Sequence, residues 1–162
     1  MATVTPMKGI AMGGISHDNI PIEHFQEAAA QTFVRGQFVK FDANKRVVNC
    51  ADASTTVLGL ALRSAVGTTD SDIMVVIGEP GILFEVSVCQ AAAADQVTAL
   101  SQLGGQYGLD MDGNGNPRCD ISNTTQKFFV VKKFSGKDAI GDTNGRVLCE
   151  LYQPVYNLRN VA

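Results

Sequence analysis

Downstream of residue 32 the chain alternates apolar and polar positions in short runs, each closed by turn residues. Residues 37–41 alternate, an Asp42-Ala43-Asn44-Lys45 turn follows, and 46–49 return, which predicts a hairpin. Residues 56–62 and 73–77 are two further apolar runs. Gly78-Glu79-Pro80-Gly81 predicts a tight turn, because proline presets φ and the glycine after it supplies a positive φ. The clearest strand pattern is 82–88, with Ile82, Phe84, Val86 and Val88 on one face and Glu85 and Ser87 on the other, beside Leu83. Residues 89–102, with Ala91 to Ala94 and a Gly104-Gly105 stop signal, predict one short helix. Residues 107–111, a turn at 113–117 and 118–121 predict another hairpin, and 127–134 another strand. Asp142-Thr143-Asn144-Gly145 predicts a turn, since Asn-Gly accepts positive φ, and 147–152 a closing strand. Residues 80–86 faintly echo 144–151, as two strands of similar burial do without any duplication. Many short strands between Gly, Pro and Asn turns predict an all-β fold, a small barrel or sandwich.

Residues 1–32 follow neither period. Met7, Ile10, Met12, Ile15, Ile20 and Ile22 are apolar but share no helical or strand spacing. Ala28 to Ala30 fit the end of a short helix starting near Pro21. Gly9, Gly13 and Gly14 let the backbone bend and lie close to another surface. The expected organisation is an extended N-terminal arm over 1–32, whose six apolar anchors bind a partner, and a β-domain over 33–162.

Composition narrows the function. Charged residues are 18% of the chain against 45% hydrophobic, and globular domains average about 25% charged. Neutral groups therefore cover the surface, and such a surface can press against another protein without stripping water from many charges. The net charge of -3 and the lack of a basic stripe argue against nucleic acid. No run approaches a membrane span, and the glycine-broken start does not resemble a secretion signal, so synthesis in the cytoplasm is expected. Cys50, Cys89, Cys119 and Cys149 are widely spaced with no C-x-x-C pair, which predicts reduced, buried thiols rather than a zinc site.

Motifs that carry chemistry are few. Ser16-His17-Asp18 spells a catalytic triad, but consecutive side chains point apart and cannot converge. Residues 136–143 outline a phosphate loop, yet Asp142 stands where the lysine is needed. Asp110, Asp112 and Asn114, ahead of Gly115, begin like a calcium loop. The closing acid is absent, Ile121 holding its position, and Asp-Gly-Asn-Gly is equally the composition of a β-turn. These three are weak metal candidates, and no cofactor is expected. His17 and His24 lack partners at ligand spacing beyond their neighbours Asp18 and Glu23.

The order of turns and strands resembles a family. Phe33 to Asp42 contains G-x-x-V-x-x-D, Val57-Leu58-Gly59-Leu60-Ala61 reads V-L-G-x-A, Gly104 to Leu109 reads G-x-x-Y-x-L, and Gly141 to Val147 reads G-D-x-x-G-x-V. Together these resemble the capsid decoration (cement) proteins of tailed phages, across most of 33–152. The resemblance implies a β-barrel or β-tulip domain and a homotrimer on the outside of an icosahedral head. It implies a non-enzymatic virion protein that bridges major capsid protein subunits, with neither nucleic acid nor membrane as partner. A closed three-fold ring suits such a lattice, because each protomer meets an equivalent surface. The competing reading is another virion or tail β-module, including a glycan-binding one. The absence of Trp and an aromatic content of 7% disfavour sugar stacking.

Overall fold

The computed structural model describes residues 2–3, 10–12 and 20–156. The protein is all-β, as the pattern predicts, with two sheets. The strands are β1 (Ile10–Met12), β2 (Ile22–Gln26), β3 (Phe38–Phe41), β4 (Val47–Asn49), β5 (Gly59–Ala61), β6 (Asp72–Ile77), β7 (Leu83–Cys89), β8 (Gln106–Met111), β9 (Pro117–Asp120), β10 (Phe129–Phe134) and β11 (Arg146–Leu151).

The larger sheet runs β1-β7-β11-β10-β8-β9, and β9 returns to pair with β7, so five strands close into a barrel. Closure is parallel, Ser87 to Cys89 against Arg118 to Asp120, while the other barrel pairs are antiparallel. Since β11 occupies one edge of β7 along 84–87, the other edge is shared: β1 takes 83–85 and β9 takes 87–89. Closing the sheet removes the open edges that an isolated sheet would present.

The second sheet runs β2-β6-β5-β3-β4. Glu27, just past β2, bridges Val47 of β4, which draws its two ends together. Alternation gives this sheet two buried faces. Phe38, Leu60 and Val76 join the barrel core, while their neighbours Val39, Ala61, Val75 and Ile77 enter a smaller core with Phe33, Leu58, Ile73 and Tyr156. Phe38 stands edge-to-face against Phe84, Phe128 and Phe129 at 5.4, 5.4 and 5.3 Å, so one ring ties the sheet to the barrel.

Two expectations change. The helix over 89–102 is replaced by single 3-10 turns at Ala91–Ala93 and Leu100–Gln102. Neither turn has a side-chain cap, Ala92 sits at φ 59°, and Ala91, Ala92 and Ala94 are exposed. A helix there would have no packed face, and packing supplies most helix stability. The chain instead bridges Val97 to Thr143. The second change lies in 1–32: its described parts contain strands. β1 and β2 extend the two sheets, and no helix follows Pro21.

Candidate assembly surface

β7 is buried along its whole length although only one of its faces lines the barrel. Phe84, Val86 and Val88 point into the core, and the opposite face carries Glu85, Ser87 and Cys89. A polar layer sits over that face. Glu85, fully buried, meets Lys137 Nζ at 3.0 Å and Arg146 at 3.9 Å. Arg146 grips Asp138 with two bonds, Nη2 to Oδ1 at 2.6 Å and Nε to Oδ2 at 2.7 Å. This pairing holds the Asp138 carboxyl below the usual range. Arg118 donates to the Val88 carbonyl at 2.9 Å and to Asn144 Oδ1, and Asn144 Nδ2 donates to Asp95 Oδ1 at 2.7 Å. Ser122 Oγ accepts from the Ala91 amide at 3.0 Å while donating to Asp120 at 2.6 Å.

These contacts fix two loops, 90–105 and 135–145, which are stitched to each other. Thr98 N–H donates to the Asp142 carbonyl at 3.2 Å and Gly141 N–H to the Thr98 carbonyl at 2.9 Å. Asn144 N–H reaches Gln96 at 2.7 Å, and Gly104 N–H reaches Val131 at 2.8 Å. The joined loops carry Val97, Leu100, Leu103 and Ile140, exposed by 38, 65, 43 and 50%. No charged residue stands between Asp95 and Asp110. Uncovered large apolar side chains on hydrogen-bonded loops make this the candidate contact surface.

The residues singled out in the sequence are scattered. Met7 and Ile15 lie outside the described residues, as do Ser16, His17 and Asp18. Ile10 and Met12 are in β1, paired with Glu85 and Leu83. Ile20 packs against the chain's own barrel core, and Ile22 is 44% exposed on β2. Asp110 and Asp112 lie at the β8 end of the 112–116 turn. Asp112 Oδ1 accepts from the Asn114 and Asn116 amides at 2.9 and 2.8 Å, and its Oδ2 from Asn116 Nδ2 at 2.8 Å. Its carboxylate thus shapes the turn, and these bonds hold its pKa down despite partial burial. Among the described residues no group of three or more His, Cys, Asp or Glu is placed to hold a metal ion. Residues 136–143 form the loop between β10 and β11, where Asp142 accepts from the Ala2 and Ala139 amides at 3.0 and 2.9 Å. His24 pairs with Asp72 at 2.9 Å on the exposed face of β2 and β6.

Sequence reading missed Val97, Leu100, Leu103 and Ile140. The signal was the long uncharged stretch itself, read as a helix because its alanines outweighed the β-branched Val97 and Thr98. No protein-family model matches the chain, and no curated protein matches it.

Proposed function

We propose that this protein is a non-enzymatic structural protein that works by assembly, as a decoration protein on the outside of a phage head. The observation that supports the reading best is the joined pair of loops carrying Val97, Leu100, Leu103 and Ile140 in the open. The sequence resemblance supplies the partner: copies of this chain in a trimer, and major capsid protein beneath it. The polar layer under the loops fits the role, because it makes the contact surface rigid before binding and lowers the ordering cost of association.

The test uses purified protein, native mass spectrometry and co-sedimentation with undecorated heads. The expected result is a trimer that sediments with heads. Replacing Leu100 and Ile140 together by Asp should weaken assembly at least about tenfold, since burying each such side chain contributes roughly 1.5–3 kcal/mol. A monomer that ignores heads, or a double variant that assembles normally, overturns the reading.

A further inference from the structure

The loop between β4 and β5 crosses from the second sheet to the barrel and touches β8 at two points. Ala53 N–H donates to the Leu109 carbonyl at 2.9 Å, and Met111 N–H donates to Asp52 Oδ1 at 2.8 Å. The same Met111 N–H lies 2.9 Å from Asp110 Oδ1. Two carboxyl groups therefore converge on one backbone donor. Two carboxylates cannot both be well served by one hydrogen, and like charges at this distance repel. A proton on one of them turns the repulsion into a hydrogen bond.

We propose that Asp52 and Asp110 form an acid-closed latch that clamps the loop between β4 and β5 onto barrel strand β8. The surrounding charges decide which group takes the proton. Arg118 stands directly across from Asp110 in the β8–β9 register, which puts a cation on the Asp110 side of the pair. Asp52 is the exposed partner, on the solvent side of the pair, and in the latch its hydroxyl donates to Asp110. Three other charged groups lie around this corner. Asp112 is held by its own turn and Asp120 by Ser122, while Lys40 on β3 lies near enough to act on Cys50, two residues before Asp52. Desolvation raises the Asp52 pKa, and the charge and hydrogen bond of Asp110 raise it further, against the Met111 amide, which lowers it.

The loop stores strain that the latch restrains. Ala53 sits at φ 55°, where a Cβ is unfavourable, so the segment needs its contacts with Leu109 and Met111 to stay docked. A group whose pKa is raised on folding adds stability at low pH and loses it as pH rises through the folded value. Asp112 and Asp138, whose pKa values are lowered, act in the opposite direction. Whole-protein melting therefore mixes both signs, and the latch is read locally. This inference is independent of the assembly reading.

The experiment is amide hydrogen exchange at Ala53 and Met111 between about pH 4 and 7, the window around ordinary Asp titration, in the natural chain and in Asp52→Asn. The Asn amide donates to Asp110 at every pH, and its carbonyl still accepts from Met111. Protection in the natural chain should match the variant in acid and fall at least about threefold below it at neutrality, a local opening of ordinary size. A ratio that stays flat with pH overturns the latch. So does an NMR titration in which the Asp52 carboxyl carbon follows an unperturbed aspartate.

Discussion

At the scale of single residues, Glu27 shows a buried charge that organises backbone. Glu27 is fully buried, and its two oxygens accept from the Val66 and Gly67 amides at 2.9 and 2.6 Å. One carboxylate thus closes the loop between β5 and β6. Glu27→Ala leaves two amides without their charged acceptor, and a hydrogen bond to a charged group contributes about 1.5–3 kcal/mol. A loss of about 3 kcal/mol is expected in urea unfolding, with Glu27→Gln intermediate. The four cysteines are buried and unbridged. Burial pushes the Cys50 thiol up to about 12 and raises the Cys89 and Cys119 thiols as well, Cys119 also through its neighbour Cys149. Only the thiolate attacks disulfide reagents. A thiol probe at mildly alkaline pH should label no cysteine in the folded protein and all four after denaturation. Rapid native labelling at any of the four would mean that its enclosure opens readily.

At the scale of elements, what the sequence revealed and what it hid have separate physical causes. Every run with strict alternation or turn chemistry became a strand or hairpin, β7 and the β3–β4 hairpin foremost, because side-chain period alone decides those faces. β1 and β2 escaped notice for the opposite reason. They are short and border their sheets, and β2 buries only Phe25 in part, so no alternation marked them. The stretch at 90–104 was hidden because pairing with 139–144 comes from far along the chain. The V-L-G-x-A motif turned out to have a steric basis. A Cβ on Gly59 would lie 1.9 Å from the Val76 carbonyl oxygen, inside the β5–β6 pairing. Gly59→Ala should therefore force the two strands apart and cost about 3 kcal/mol, the upper range for overpacking. Normal denaturant stability in that variant would show that β5 shifts freely against β6.

At the scale of the whole molecule, the two sheets behave as one body. Phe38 enters the barrel core, and Gln37 beside it donates from Nε2 to the Gly115 carbonyl at 2.6 Å, so the turn after β8 is held by the second sheet. The candidate surface depends on this scale too, since the loops that carry Leu100 and Ile140 are joined by backbone bonds between segments about 40 residues apart. That is why no local motif announced it. The N-terminal strands offer the sharpest test of how the molecule is divided. An independent arm over 1–32 would leave stability unchanged on removal. In the structure, deleting residues 2–24 removes β1 and most of β2, and with them the pairing of Leu83 to Glu85 and of Met74 to Val76 along one edge each. It also removes Ile20 from the barrel core and the Ala2 contact with Asp142. The truncated chain should melt roughly 5–10 °C lower, given the few degrees per kcal/mol typical of this size. Occupancy on undecorated heads, measured well below that temperature, then separates the roles. A lower melting point with normal occupancy would make the segment structural. A normal melting point with lost occupancy would support the clamp, with Ile22 and the rest of the segment serving the partner rather than the fold.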